Sequence, residues 1–547
     1  MGKSNKPLNN KQYTNELTNK ELEAPEIIIP EEEPEEVDPS KPNTIPKFVD
    51  KLPIPGVLTP DEKGEGYAYY DIVMRRARHR FHRDFPLTEI WGYNGTYPGP
   101  TIEAYKGQTV FVKWQNKLPC KHLLPVDKTI HGAINNPEVR TVVHLHGAEV
   151  APDSDGHPEA WYTRDYITTG SKFSRKVYRY LNDQQATTLW YHDHALGITR
   201  LNVYAGLAGF YIIHDDLEER LNIPKGEYDI PLLIQDKSFN PDGSLFYPAE
   251  PANPVEGVYP SIVPAFIGNT IVVNGKLWPY HEVEPRKYRF RILNGSNTSG
   301  FTFKLSNGQS FWQIGTDGGL LQEPVEINSF MLEPAERIDL IIDFSQLEGE
   351  TVTLMTDNED PNTSNVMQFK VVLPLKKEDT TEIPKTLNHF MELNPTLAKQ
   401  TRRVSLDTAT DSHGRPLLLL NNLMWDDPAT ETPEYDSIEI WEIVNPTQFA
   451  HPIHLHLVQF QILDRRPFDV DYYRRTGRIR YFINRRAEEP LPFERGWKDV
   501  VRAEAGKITR IIAHFKNFYG DYVWHCHILE HEDFDMMRPL RVIKKYV

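Results

Sequence analysis

The chain has 547 residues and a formal net charge of −16, from 61 Lys and Arg against 77 Asp and Glu. This length predicts two to four domains with sizeable cores. The acidic balance argues against a nucleic-acid-binding protein and favours neutral or cationic small substrates, and no run of about 18 apolar residues is present to span a membrane.

The first 44 residues differ in composition from the rest of the chain. They are polar and contain the run PEEEPEE at residues 30–36. Few apolar residues, many charges and several prolines predict a disordered acidic tail over residues 1–44. The first residues lead into no apolar core, so no secretory signal is predicted and we expect synthesis in the cytoplasm.

Beyond residue 45, short β-branched and aromatic runs alternate with turn residues. Examples are residues 109–114 (TVFVKW), 287–292 (KYRFRI) and 508–512 (ITRII), in a chain with 32 Gly and 43 Pro. Long amphipathic helical patterns are scarce, and a short connecting helix is expected only at places such as residues 217–221. The pattern predicts an all-β protein.

Histidines recur in this β-rich region as His-x-His pairs. One such pair is a weak signal, because it occurs by chance and in zinc hydrolases. Four pairs together predict a metal centre, since in a strand both members of a pair face the same way and eight imidazoles suit three metal ions. The pairs are His144 and His146, His192 and His194, His454 and His456, and His525 and His527; these eight residues are called the histidine centre below.

The last pair brackets a cysteine. Strand alternation turns Cys526 away from its two histidine neighbours, and by the same rule it turns His451 away from His454. With His531 and Met536, these residues offer the thiolate, two imidazoles and weak thioether of a blue-copper site. His451, Cys526, His531 and Met536 are called the cysteine centre below; Met537 is the second choice for the thioether.

Zinc is the competing metal. Structural zinc sites are rich in paired cysteines, whereas this chain has only Cys120 and Cys526, far apart in sequence. Copper therefore fits better. With Cys526 used as a ligand, Cys120 has no disulfide partner, which fits a reducing compartment, and we expect it to be a buried or partly buried small side chain.

The metal-binding pattern occurs twice. His144 is followed 48 residues later by His192, and His454 is followed 71 residues later by His525. Residues 222–375 have strand patterns but no such pair, and Lys, Glu, Asp and Thr cluster in a predicted linker at 375–384. We therefore predict three β-sandwich domains, with the histidine centre between the first and the third, at residues 45–215, 222–375 and 386–547.

The order of these motifs resembles that of the multicopper oxidases. Over residues 45–545 the chain is similar to bacterial spore-coat laccases, which are related to bilirubin oxidases, and residues 91–95 (WGYNG), 200–206 (RLNVYAG) and 496–499 (GWKD) match the same family. The resemblance implies three cupredoxin-like Greek-key β-sandwich domains. It also implies four copper ions, one of type 1, one of type 2 and a type 3 pair.

The resemblance assigns each ligand to one of these ions. The cysteine centre holds type 1 copper. The histidine centre divides between type 2 copper (His144 and His454) and the type 3 pair (His146, His192, His194, His456, His525 and His527).

The resemblance also implies how the centres work. Electrons from a reducing substrate enter near His531 and cross Cys526, and dioxygen is reduced to two waters at the histidine centre. Glu532 and Asp155 match positions that deliver protons, which makes them catalytic residues together with His531 and Cys526. Gln448, Phe449 and Ala450, just before His451, are expected to border the substrate pocket, and Asp193 is expected in the second shell or outside the strand.

Three functions remain open from the sequence. The first is a laccase that oxidises phenols, aromatic amines and bilirubin with dioxygen, as a monomer that has no membrane partner and associates with spore-coat proteins. The second is an oxidase of Mn(II) or Cu(I); only nine methionines without a Met-rich insert count against the Cu(I) version. The third is a non-catalytic coat component or copper store, against which the complete ligand set speaks.

Overall fold

A computed structural model describes residues 37–544, so most of the predicted acidic tail lies outside the described residues. Residues 37–44, which the composition assigned to that tail, are folded. Pro42–Thr44 forms a 3-10 turn, Val37 packs against the main apolar core, and Asn43 accepts a 2.7 Å hydrogen bond from Asn362. Composition alone could not predict the Asn43–Asn362 contact, because the two residues are 319 positions apart.

The described chain is built mainly of β-strands, which confirms the all-β prediction. The N-terminal part contains β1 (Glu62–Gly64), β2 (Tyr67–His79), β3 (Thr88–Tyr93), β4 (Gly99–Tyr105), β5 (Thr109–Asn116), β6 (Val143–His146), β7 (Val177–Tyr180), β8 (Thr187–Asp193) and β9 (Ala208–His214). The middle part contains β10 (Asp229–Phe239), β11 (Leu245–Phe246), β12 (Thr270–Val273), β13 (Lys276–Leu277), β14 (Tyr280–Val283), β15 (Lys287–Asn294), β16 (Phe301–Leu305), β17 (Phe311–Thr316), β18 (Gly319–Ile327), β19 (Phe330–Leu332), β20 (Arg337–Asp343), β21 (Thr351–Thr356) and β22 (Asn365–Val371). The C-terminal part contains β23 (Gln400–Thr410), β24 (Pro416–Leu420), β25 (Ser437–Val444), β26 (His451–Leu455), β27 (Phe460–Pro467), β28 (Val500–Ala503), β29 (Lys507–Phe515), β30 (Gly520–Cys526) and β31 (Met537–Val542).

Helices are short and connect strands. The α-helices are α1 (Thr199–Ala205), α2 (Asp216–Arg220), α3 (Pro361–Ser364), α4 (Val470–Thr476) and α5 (Leu529–Asp533). Among residues 37–544, no helix has the length and apolar character needed to cross a membrane. Helix α2 begins one residue before the connecting helix expected at residues 217–221.

Each of the three parts contributes two sheets to the described structure. In the N-terminal part they are β1-β2-β5-β7, with β3 on β2, and β4-β9-β8-β6; in the C-terminal part they are β24-β23-β25-β29-β27 and β28-β26-β30-β31. In the middle part they are β13-β12-β10-β15-β20-β17-β18, with β11 on β10, and β14-β22-β21-β16-β19. One parallel pair recurs in all three parts, namely β2 with β5, β10 with β15 and β23 with β25.

The apolar core divides unevenly among the three parts. One continuous cluster runs from Ile45 to Val371 and so joins the N-terminal and middle parts. The C-terminal part has its own cluster, from Val404 to Val542. Residues 375–384 form neither helix nor strand, and Asp379 ties them to β15 by accepting a 3.0 Å bond from the Lys287 amide.

One sequence expectation about a side chain is wrong. Cys120 is exposed, not buried. It lies in the loop after β5, where Leu118 is the residue that enters the core. Loop residues face solvent unless a core position claims them, and here the neighbouring leucine fills that position.

A buried ion pair joins helix α2 to the middle sheet. Glu218 Oε1 lies 2.7 Å from Arg289 Nη1 and 2.9 Å from Arg291 Nη2, and its Oε2 lies 2.7 Å from His214 Nδ1. Burial alone would raise the pKa of Glu218, but the two guanidinium groups hold it well below its usual range.

We expect Glu218→Gln to lower the free energy of unfolding by about 1.5–3 kcal/mol, because it removes a carboxylate shared by two buried guanidinium groups, which keep Asp229 and Asp339 as partners. The stabilisation is complete above the ordinary glutamate pKa and disappears as the pH falls towards the depressed folded value, so acid should narrow the gap between variant and parent. Chemical unfolding at several pH values measures this effect. Glu219→Gln, at the exposed neighbouring position, should stay within roughly 0.5 kcal/mol of the parent, and an equal loss there would contradict the prediction.

Candidate metal centre

Two pairs of neighbouring antiparallel strands carry the histidine pairs. In the N-terminal part, β6 lies beside β8 with His144 opposite His192. In the C-terminal part, β26 lies beside β30 with His454 opposite His525. Because side chains alternate along a strand, this register places the histidines of each part on one face of its own sheet.

The two surfaces meet, and all eight imidazoles are buried together. The His144 ring stacks on His456 at 3.8 Å between centroids, and the His146 ring stacks on His454 at 3.7 Å. Three groups of ring nitrogens lie within 4.8 Å of one another: His144, His146 and His454; His146, His192 and His527; and His194, His456 and His525. The structure thus assembles the histidine centre from both ends of the chain, as the sequence predicted.

Backbone carbonyls lie against four of these rings; one is His525, whose Nδ1 lies 3.1 Å from the Cys526 carbonyl oxygen. The Nδ1 atoms of His144, His454 and His192 lie 2.6, 2.7 and 2.8 Å from the carbonyl oxygens of Asp155, Asp499 and Asp193. Each Nδ1 donates, so each Nε2 presents its lone pair, and all three Nε2 atoms are buried without a protein hydrogen-bond partner.

Such orphaned nitrogens fit a set of metal ligands. An unpaired buried polar atom is costly, so several of them in one cavity require a common partner. Burial lowers the pKa of His192 and His194 to about 3, which keeps both rings neutral and able to bind a cation. Imidazoles alone suit copper among other transition metals.

The cysteine centre forms on the other side of β30. Cys526 Sγ lies 3.7 Å from Nδ1 of His451 and 3.7 Å from Nδ1 of His531. Met536 is buried in the same apolar cluster, and its carbonyl accepts the Cys526 amide at 3.0 Å, whereas Met537 packs in a separate cluster. Burial raises the pKa of the Cys526 thiol, so a bound cation is needed to keep the thiolate.

Comparison with known proteins decides the family. Sequence profiles described as multicopper oxidase match residues 78–133 and 125–218, 255–372 and 392–545. A laccase of Bacillus subtilis (strain 168) is 53% identical over 509 residues, which cover 91% of this chain and 99% of that protein. The chain belongs to the multicopper oxidase family.

Other members of the family confirm the relation in sequence and in fold. A laccase of Bacillus stratosphericus is 54% identical over 508 residues, covering 91% of this chain and 99% of its own. The crystal structure of a laccase from Pediococcus acidilactici superposes with a TM-score of 0.73 at 27% identity, covering 91% of this chain and 95% of its own. McoA from Aquifex aeolicus superposes with a TM-score of 0.69 at 28% identity, covering 90% of this chain and 99% of its own. The domains of this multicopper oxidase are therefore cupredoxin-like.

Both carboxylates singled out from the sequence lie against the histidine centre. Glu532 is fully buried, with Oε2 3.1 Å from His525 Nδ1 and Oε1 3.4 Å from His194 Nδ1. Asp155 is equally buried; its Oδ2 lies 2.7 Å from His456 Nδ1, and its Oδ1 has no hydrogen-bond partner. Burial raises the pKa of Asp155 well above its usual value.

The surface near the cysteine centre is where a reducing substrate can approach. Phe449 is 58% exposed, and its ring lies 6.3 Å from that of His451, while Gln448 is exposed and Ala450 is half-buried. His451 is fully buried, whereas His531 retains 8% of its surface. The His531 edge is thus the more accessible of the two imidazoles.

Sequence reasoning missed several residues at the centre. Asp499 Oδ1 lies 3.0 Å from His146 Nε2, and Thr447 Oγ1 lies 3.0 Å from His451 Nε2. Asp193, expected in the second shell or outside the strand, is buried next to a ligand: its carbonyl oxygen lies 2.8 Å from His192 Nδ1, and its carboxylate accepts bonds from the amides of Val142 and Ala195. The GWKD stretch that carried the family resemblance contains Asp499, and this was the available signal for that residue.

Proposed function

We propose that this multicopper oxidase is a laccase-type enzyme that removes single electrons from phenols and aromatic amines and reduces dioxygen to two waters. One observation carries the proposal. Two different ligand sets lie on opposite sides of the end of β30, with Cys526 on one side and the rings of His525 and His527 on the other. The names of the two Bacillus relatives support the laccase class.

We assign the ligands as the geometric groups suggest. Bound copper ions supply one-electron redox chemistry at the cysteine centre and multi-electron reduction of dioxygen at the histidine centre. The proposed sets are His451, Cys526, His531 and Met536 for type 1 copper, His144 and His454 for type 2 copper, and His146, His192, His194, His456, His525 and His527 for the type 3 pair, four ions in all.

The chain itself links the two centres. The bonds from Cys526 Sγ to the backbone and on to the His525 or His527 ring form a continuous covalent path a few residues long. His531, with its accessible edge, is the proposed point of substrate contact. Gln448, Phe449 and Ala450 are the proposed pocket wall, where the exposed Phe449 ring can pack against an aromatic substrate.

Two carboxylates are proposed to hold and move protons. The reduction of dioxygen to two waters consumes four protons, which must reach a buried site. Glu532 and Asp155 have oxygens directly against ligand imidazoles, at 3.1 and 2.7 Å, and among the described residues they, unlike Asp499, are not paired with an arginine. Both carboxylates present an oxygen that no hydrogen bond occupies, and such an oxygen can accept a proton from a water molecule.

The domain division, the location and the partners are further proposals. Three separate profile matches and the recurring parallel strand pair support domains at residues 45–215, 222–375 and 386–547. We propose synthesis in the cytoplasm, a monomeric enzyme, association with a spore coat, and bilirubin as a further substrate. Sedimentation of the purified protein tests whether it is a monomer, and immunolocalisation in sporulating cells tests its association with a spore coat.

Oxygen uptake by the copper-loaded protein tests the function. We expect rapid uptake with a dimethoxyphenol, slower uptake with Mn(II) or Cu(I), and bilirubin oxidation that competes with the phenol. Uptake with a metal ion and none with either organic reductant would make the protein a metal-ion oxidase. No uptake with any of the four reductants at full copper content would exclude an oxidase and leave a non-catalytic copper-binding role.

A further inference from the structure

Asp155 holds one histidine from each end of the chain. Its backbone carbonyl accepts from His144 Nδ1 at 2.6 Å, and its carboxylate lies 2.7 Å from His456 Nδ1. Those two rings stack on each other at 3.8 Å. One residue thus fixes a ring from the N-terminal part and a ring from the C-terminal part.

Asp499 does the same for the opposite pair. Its backbone carbonyl accepts from His454 Nδ1 at 2.7 Å, and its carboxylate lies 3.0 Å from His146 Nε2. These two rings stack at 3.7 Å. The two aspartates therefore make corresponding contacts in the two halves of the histidine centre.

The two aspartates differ in whether a charged side chain is paired with the carboxylate. The Asp499 carboxylate accepts two hydrogen bonds from the Arg337 guanidinium, from Nη1 to Oδ1 and from Nη2 to Oδ2, each 2.6 Å long. Among the described residues, Asp155 has no cationic side chain in a comparable place, and its Oδ1 has no hydrogen-bond partner. A two-armed guanidinium–carboxylate pair fixes both orientation and charge, as a single hydrogen bond does not.

Arg337 is itself held by the N-terminal part and by its own part. It begins β20, its Nε donates to the carbonyl of Thr188 in β8 at 2.9 Å, and its Nη2 donates to the Asp317 carbonyl at 3.0 Å. The Asp317 carboxylate accepts the Arg337 amide at 2.8 Å and lies 2.9 Å from Lys498 Nζ. The guanidinium is thus a buried junction of all three parts of the chain.

The backbone beside a ligand leaves room for this junction. Gly147 follows His146 with φ of +86°, and a Cβ there would collide with Asp499 Oδ2 and would lie 2.7 Å from Arg337 Nη2. A side chain at this position would therefore push the ion pair away from the histidines. Only glycine accommodates both the turn and the close approach of the pair.

We propose that Arg337 is a positioning residue of the histidine centre. Through Asp499 it holds His146 and His454, so the middle part of the chain, which supplies no ligand, sets the geometry of one half of the centre. This inference rests on the proposed ligand set. It assigns to Arg337 and Asp499 the retention and arrangement of copper at the histidine centre, and no contact with substrate.

The test compares Arg337→Met, Arg337→Lys and Asp499→Asn with a matched control, Arg465→Met. Arg465 is also buried and makes a two-armed pair with Glu494, at 2.8 and 2.5 Å, but it lies outside both centres. For each variant we would measure copper per chain, the blue absorption of the cysteine centre, the EPR signal of the type 2 copper in the histidine centre, and thermal unfolding of the copper-free protein.

Arg337→Met and Asp499→Asn should bind copper at the histidine centre more weakly, on the order of 10–100-fold, while the blue absorption persists. Arg337→Lys keeps the positive charge but cannot donate two parallel hydrogen bonds to the Asp499 carboxylate. It should therefore bind more copper than Arg337→Met but show an altered EPR signal. Arg465→Met should lose thermal stability and keep its copper. Asp499→Asn preserves volume, so it decides the question if Arg337→Met does not fold.

Full copper with an unchanged EPR signal in both Asp499→Asn and Arg337→Met would overturn the positioning role. Equal copper loss in Arg465→Met would do the same, because it would reduce the effect to general destabilisation. A parent protein that binds no copper at the histidine centre would instead overturn the proposed function, so the two failures are distinguishable.

Discussion

Replacing Cys526 by serine is expected to abolish both the blue absorption and the oxidation of phenols, with little change in fold. The cysteine is fully buried, with its Sγ 3.7 Å from a ring nitrogen of His451 and of His531. A serine hydroxyl has nearly the same size, so packing survives. It supplies no thiolate, however, and the covalent path between the two centres then lacks its soft ligand.

Visible absorption, copper content and oxygen uptake measure this change together. The variant should lose about one copper ion in four and retain the EPR signal of the histidine centre. The matched control is Cys120→Ser, because Cys120 and Cys526 are the only cysteines in the sequence and Cys120 is exposed. Undiminished phenol oxidation in Cys526→Ser, or an equal loss in Cys120→Ser, would contradict the proposed type 1 site.

The sequence predicted much of the candidate site because the decisive pattern is local. Strand alternation places His525 and His527 on one face and Cys526 on the other, and it separates His451 from His454 in the same way. The structure shows this separation, with each set gathered into its own cluster. Assigning side chains to one face or the other requires only that the strands are located correctly, and β-branched and aromatic residues mark the strands of this chain clearly.

Residues that act across long sequence distances could not be predicted in this way. Arg337 is 162 positions from Asp499, in a part of the chain without histidine pairs, and an arginine at the start of a strand resembles any surface arginine. The exposure of Cys120 and the folding of residues 37–44 could not be predicted from local patterns either. Each depends on which distant side chain fills a given space, and periodicity carries no information about that.

Replacing Glu532 by glutamine is expected to slow the reaction with dioxygen by roughly 10²–10⁴-fold, the range for loss of a positioned proton donor. Glutamine keeps the size of the side chain but cannot release or take up a proton. The carboxylate lies 3.1 Å from His525 Nδ1 and 3.4 Å from His194 Nδ1, so it contacts rings of the histidine centre. Oxidation of the reducing substrate at the cysteine centre should therefore be unaffected.

Stopped-flow absorption separates these two half-reactions. Without oxygen, a phenol should bleach the blue absorption of Glu532→Gln at the parental rate, and mixing with oxygen should restore it far more slowly than in the parent. Glu530→Gln is the control, because this buried carboxylate on the same helix α5 already accepts hydrogen bonds from Tyr247, Asn297 and Thr298 at 2.7, 2.9 and 2.7 Å. It should restore the absorption at the parental rate.

The outcome of that comparison also bears on the two aspartates. If Glu532→Gln is slow only with oxygen, proton supply limits the histidine centre, and Asp155→Asn should show the same selective loss because its free Oδ1 can likewise take up a proton. Asp499→Asn, compared at full copper content, should not, since both oxygens of Asp499 are occupied by Arg337. Equal bleaching defects in all three variants would mean that these carboxylates shape the whole site and do not supply protons.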